Sequence, residues 1–242
     1  DMPLIEIKAT FENDHIEPSK SITDISHDVM DGNIVILKQV FEKNFLLEFR
    51  KEFLDWSKSI PSIIPANEPD KLYLKNNHHR IDDNLSQSET PHRSHFHNLM
   101  RIDLLPTELS IKSTKIFSSL RDLQNKISGT KGDFNPSNNS ILMRPQVIQY
   151  PSGGGFFGEH IHPLEPQRIG LITGLSRKGI DYKTGGTTFK TPHGFVDSGD
   201  HDIGDITLFR YNLPHAVTEV DPDQKLNWNS EKGRWTIILP YY

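Results

Sequence analysis

Beyond Gly129 the chain breaks into short β-like runs, at 141–150, 167–175, 187–190, 205–211 and 234–240, set apart by glycine, proline and aspartate. Short strands with turn residues at such intervals point to an antiparallel sandwich or barrel. Ahead of them, residues 4–9 and 34–40 read as strands, and a small helix fits between Asp24 and Met30. Phe45, Phe49, Phe53 and Trp56 recur at helical spacing over 43–59, and Ile116, Leu120, Leu123 and Ile127 do so over 113–127, where Gly129 supplies a stop. These helices are long and amphipathic enough to buttress one face of a sheet, which predicts a single α+β domain over 1–242. Residues 1–140 would supply N-terminal strands, helices and a long loop packed on a β core at 141–242. The loop is read over 57–93, rich in Pro, Asn, Asp and Ser with little periodicity, and a compact domain keeps such a loop for a purpose such as a lid.

Composition limits the chemistry. With no cysteine there is no disulfide, no thiolate ligand and no cysteine nucleophile, so any metal must be held by histidine and carboxylate, and 12 histidines make that feasible. A net charge of −5, from 27 Lys and Arg against 32 Asp and Glu, argues against a nucleic-acid surface. The chain has no apolar run of membrane-spanning length and no signal-peptide pattern at 1–10, so no membrane partner is expected and the expected compartment is cytoplasmic.

The densest chemical signal is Gly158-Glu159-His160-Ile161-His162-Pro163, followed far downstream by Pro214-His215-Ala216-Val217. In an extended segment alternate side chains share a face, so His160 and His162 point one way while Glu159 and Ile161 point the other. Two imidazoles can then grip one ion, and His215 from a distant strand completes a facial set that leaves open positions. Glu159 has the wrong parity to be the carboxylate ligand, and Glu165 lies beyond a proline that should end the strand. In the last run Arg234 and Thr236 share a face opposite Trp235, Ile237 and Leu239. A guanidinium beside a hydroxyl suits the distal carboxylate of a dicarboxylic acid, because arginine offers a planar bidentate fork.

With these residues in view the chain resembles the Fe(II)/2-oxoglutarate-dependent oxygenase superfamily, in its prolyl-hydroxylase-like branch. Further landmarks in the matching order are Tyr150-Pro151-Ser152-Gly153-Gly154, Gly185-Gly186-Thr187-Thr188-Phe189 and Gly204-Asp205-Ile206-Thr207-Leu208-Phe209. The resemblance covers about the last hundred residues. It implies a double-stranded β-helix (jelly-roll, cupin-like) core with N-terminal helical support. It further implies Fe(II) on His160, His162 and His215, with 2-oxoglutarate as co-substrate on Arg234, Thr236 and Tyr150, and O₂ as oxidant. The implied reaction couples oxidative decarboxylation of 2-oxoglutarate to succinate and CO₂ with hydroxylation of a small-molecule substrate. This chain departs from the family's His-x-Asp pattern by carrying His162 in place of the aspartate, which would give a three-His centre.

Two alternatives stay open: a cupin-like three-His dioxygenase that does not use 2-oxoglutarate, and a non-catalytic jelly-roll binding module. For the prime substrate the candidates are His95 and His97, from a His-rich segment that also holds His92, together with Arg144 and Arg168 near strand ends. A second metal site around His92, His95 and His97 is not expected, because it would need further ligands that the sequence does not identify. Gly170 and Gly174 mark one sheet face where something approaches the backbone closely.

Overall fold

A computed structural model describes residues 3–82, 89–135, 139–198 and 201–241. The N-terminal half runs β1 (Leu4–Glu12), β2 (His15–Pro18), α1 (Ile22–Met30), β3 (Ile34–Lys38), α2 (Lys43–Lys58), α3 (Pro69–Leu74), β4 (Asn77–Ile81), β5 (His92–Asn98) and α4 (Thr107–Ser128). The regular elements among the remaining described residues are strands: β6 (Gly132–Asp133), β7 (Ile141–Leu142), β8 (Gln146–Pro151), β9 (Gly155–His160), β10 (Ile169–Gly174), β11 (Thr187–Thr191), β12 (Gly194–Asp197), β13 (Ile206–Arg210), β14 (His215–Val220) and β15 (Gly233–Ile238).

One hydrogen-bonded path joins the strands in the order β12-β11-β14-β9-β5-β8-β15-β10-β13-β3-β1-β2, with β4 paired to β5. The path rolls into two layers at β5. His92 and Arg93 pair with Phe157 and Phe156 of β9, whereas His95 to Asn98 pair with β8. The result is a double-stranded β-helix, as expected, with the N-terminal strands extending the larger sheet: β3 pairs antiparallel with β13 and parallel with β1. Its residues Ile34, Val35, Ile36 and Leu37 are all buried, the pattern of a strand covered on both faces.

Alternation decides what each sheet face meets. From β8 and β15, Val147, Trp235 and Ile237 point outward into the main core, where they join Leu46, Phe49 and Phe53 of α2 and Ile116, Phe117 and Leu120 of α4. Ile148 and Tyr150 of β8 point inward, packed with Tyr182, Val217 and Val220. Two helix ends follow directly from their residues. Ser21 caps α1 by accepting from the Asp24 N–H at 3.1 Å, and Gly129 closes α4 in the left-handed region at φ 71°. Among the described residues no helix is long and apolar enough to cross a membrane.

The long loop expected at 57–93 is not what forms. It contains α3, β4 and the start of β5, and β5 lies at the junction of the two layers. The strands escaped a hydrophobic pattern because their buried positions carry histidine and asparagine: Asn77, His78, His79, His95, His97 and Asn98 are all buried. Residues 83–88 of the expected lid lie outside the described residues. The two glycines of β10 do admit close neighbours. A Cβ on Gly170 would lie 2.1 Å from the Phe209 ring, and one on Gly174 would lie 2.2 Å from the Asp202 carbonyl oxygen.

The Gly204-Asp205 pair acts as a latch between β13 and the end of β3. Gly204 has φ 87°, and its carbonyl accepts from the Val40 N–H at 2.9 Å. Asp205 is fully buried; it accepts from the Gln39 N–H at 2.8 Å and pairs with Lys38. Asp205→Ala strands that amide and is expected to lower unfolding free energy by about 1–3 kcal/mol. A urea unfolding curve that overlays the wild type would show that the latch does not stabilise the fold.

Candidate metal centre and cavity

His160 ends β9, His215 begins β14, and the two are directly paired across the ladder. Each ring is fixed by its own chain. His160 Nδ1 lies 2.9 Å from the Gly158 carbonyl and His215 Nδ1 lies 2.8 Å from the Leu213 carbonyl. A carbonyl can only accept, so Nδ1 carries the proton in both rings and each Nε2 presents a bare lone pair, the arrangement that orients metal-bound imidazoles. His162 lies two residues past the strand end, its ring stacked on Tyr211 at a centroid distance of 4.2 Å. One nitrogen from each of His160, His162 and His215 lies within 4.8 Å of the others. Burial lowers the proton affinity of all three, His162 to about 4 and His215 to about 3, and the neighbouring imidazoles add to the effect. At neutral pH the group is therefore uncharged and ready to donate to a cation.

Among the described residues no carboxylate joins the group. Glu159 points away and pairs with Lys190 at 2.7 Å, and the exposed Glu165 lies 3.5 Å from Arg168. Three neutral nitrogen donors suit a borderline first-row divalent ion, which would keep its full positive charge there.

The group opens on a cavity of about 420 Å³ lined also by Tyr150, Phe157, Thr187 and Val217. Behind the lining stands Arg234, 3% exposed. Its Nη2 donates to Thr187 Oγ1 at 2.8 Å, and its guanidinium lies 5.8 Å from the centre of the Tyr150 ring. Among the described residues no carboxylate pairs with it. A buried guanidinium without a partner anion carries a desolvation cost that an entering anion would offset. Thr236 is buried on the same strand face, and burial pushes the Tyr150 phenol up to about 12.

Of the expected substrate residues, Arg144 lines the cavity. His95 and His97 do not reach it, because β5 turns His92 and Phe96 toward the cavity and its alternate residues to the other side of the sheet. Arg168 is also elsewhere: it packs at the end of α4 and donates to the Ser128 carbonyl at 2.7 Å. His92, which the sequence offered only as part of its His-rich segment, lines the cavity, as do Gln167 and Tyr211, which the sequence did not single out. The signal for His92 was available, since it shares parity with Phe96 once the segment is read as a strand.

No family model matches the chain, and no curated protein matches it. Solved structures do. A prolyl-4-hydroxylase from Pseudomonas putida superposes with a TM-score of 0.56 at 11% identity, covering 91% of this chain and 98% of that one. The fold is that of the 2-oxoglutarate–Fe(II) oxygenases. An oxidoreductase of that family from Burkholderia pseudomallei gives 0.55 at 12% identity, with 92% and 91% covered. EctD from S. alaskensis, solved with 2-oxoglutarate and 5-hydroxyectoine, gives 0.53 at 13% identity, with 89% and 73% covered. At these identities the likeness is one of architecture.

His160→Ala and His215→Ala are each expected to remove one equivalent of tightly bound divalent metal from the chain, while Glu159→Gln removes none. Metal analysis after equilibrium dialysis checks this. Variants that keep the full complement would detach these imidazoles from the ion.

Proposed function

We propose that the chain is a non-haem Fe(II) oxygenase that consumes 2-oxoglutarate and O₂ to hydroxylate a C–H bond of a small-molecule substrate. The observation that carries the reading is a single cavity with three inward-facing imidazoles and, behind its lining, a buried guanidinium with no carboxylate partner among the described residues. The fold shared with 2-oxoglutarate–Fe(II) oxygenases supports it.

In this reading His160, His162 and His215 hold the iron. Bound iron supplies the redox chemistry that lets O₂ decarboxylate the keto acid. Arg234 receives the distal carboxylate through its planar fork, with Thr187 orienting the guanidinium and Thr236 beside it. The balance is one O₂, one 2-oxoglutarate and one C–H substrate giving succinate, CO₂ and an alcohol, with one oxygen atom in each of succinate and product. The chain contributes orientation and exclusion of water: Ile148, Phe157 and Val217 give the cavity apolar walls near the imidazoles. Gln167 and Tyr211, with Arg144, offer polar contacts to the prime substrate, and the cavity volume suits a small molecule.

A second reading, a three-His dioxygenase that does not use 2-oxoglutarate, draws on the absence of a carboxylate from the imidazole group among the described residues. Succinate formation separates the two. With Fe(II) and ascorbate, a metabolite screen is expected to find compounds that stimulate succinate release. Under anaerobic conditions Fe(II) and 2-oxoglutarate together should give a visible charge-transfer band. Arg234→Ala should weaken 2-oxoglutarate binding by about 2–4 kcal/mol, in the range for leaving a buried charge without its partner. Unchanged affinity by calorimetry would return Arg234 to a structural role, and oxygen uptake without succinate would favour the second reading.

A further inference from the structure

On the other side of the sheet from the cavity, the β4–β5 hairpin gathers a second set of three imidazoles. His78 of β4 is directly opposite His97 of β5, and His95 is the next residue on the same face. His78 and His95 are each 6% exposed and His97 is fully buried. The ring centroids of His95 and His97 are 4.1 Å apart, those of His78 and His95 5.0 Å, and those of His78 and His97 5.5 Å.

Backbone carbonyls set the ring orientations here as they do at the first group. His78 Nε2 donates to the Ile60 carbonyl at 2.8 Å, so its Nδ1 carries the lone pair and accepts from His95 Nε2–H at 2.8 Å, a proton whose place a bound ion would take. His97 Nδ1 faces the Val147 carbonyl at 3.2 Å, which leaves Nε2 as the donor atom, with Ser57 Oγ 3.0 Å away. One nitrogen from each ring lies within 4.8 Å of the other two. Two nitrogens bound to one ion at about 2.1 Å lie roughly 3.0–3.4 Å apart, so the His78–His95 separation needs little adjustment to admit an ion. The group borders a cavity of about 290 Å³ under the end of α2, lined by Ser57, Lys58, Gln149 and Trp228, which leaves space for a further ligand.

We propose that His78, His95 and His97 form a second metal site, taking a zinc-class divalent ion with its fourth position open to this cavity. Three neutral imidazoles, joined by no carboxylate among the described residues, in a chain without cysteine, select zinc, cobalt or copper over magnesium or calcium. Burial keeps all three rings uncharged, so an entering ion needs no net loss of protons, only the shift of the His95 proton from Nε2 to Nδ1. Placing three imidazoles in a buried position costs desolvation that apolar side chains would avoid, and metal ligation offsets that cost. The ion would lock β4 to β5 and, through the carbonyl of Ile60 and the hydroxyl of Ser57, hold the end of α2 against the hairpin. The sequence identified no further ligand to join His95 and His97 because His78 lies in residues that read as loop.

The proposal does not depend on the oxygenase reading, and its test is separate. In a chain carrying both His160→Ala and His215→Ala, dialysis against zinc(II) is expected to leave one equivalent bound, with a zinc-dependent rise in Tm. Adding His78→Gln should remove both. A folded double variant, judged by far-UV circular dichroism, that retains no zinc would overturn the site and leave a hydrogen-bonded His78–His95 pair. Retention of the equivalent after His78→Gln would do the same. If the double variant does not fold, the wild-type count decides: two equivalents support the site, and one overturns it.

Discussion

Side-chain alternation along β5, β8 and β15 is the constraint on which both histidine groups and the core depend. On one side of this sheet Val147, Trp235 and Ile237 meet the helices and form dry core. On the other side Ile148, Tyr150 and Arg234 face the space between the layers. A strand cannot move one of these sets without moving the other, because a slip of one residue exchanges the faces. The apolar packing of Trp235 against the helices is therefore also what presents its neighbour Arg234 to the cavity. On β5 the same logic separates His92 and Phe96, on the cavity wall, from His95 and His97 beneath it.

Burial supplies the electrostatics once alternation has supplied the positions. Around the cavity three imidazoles lose their affinity for protons, and the nearby guanidinium stays within a wall of Tyr150 and Thr187. Neutral donors for a cation thus share one space with a fixed cation. The charge character therefore changes along the site, with an imidazole end that suits a cation and a guanidinium end that suits an anion.

Much of this was legible from residues. The parity of His160 with His162, the opposite parity of Glu159, and the shared face of Arg234 and Thr236 follow from a two-residue repeat. The helices at 43–59 and 113–127 follow from their phenylalanine and leucine spacing, although α4 begins earlier, at Thr107. The stretch from Ser57 to Asn98 was not legible, and the reason is physical. Strand patterns are read from apolar residues, and here buried polar side chains take their places: Asn98 donates to Asn77 at 3.0 Å and Gln146 donates to Asn98 at 2.7 Å. Hydrogen bonds between side chains distant in sequence cannot be inferred from the local pattern. For the same reason Gly204-Asp205, a landmark ahead of His215, proved to be a brace for the fold through Gln39 and Lys38.

The three histidines facing the cavity differ in mechanical stiffness. His160 and His215 are paired in a ladder and each is pinned by a carbonyl two residues back, so both are as rigid as the sheet. His162 follows the strand, next to the exposed Ile161, and its ring rests on the Tyr211 face. Stacking of this kind permits sliding that a ladder does not. An ion bound by all three would therefore have two unyielding contacts and one compliant one. It could change its coordination angle through His162 alone, leaving the β-sheet unmoved.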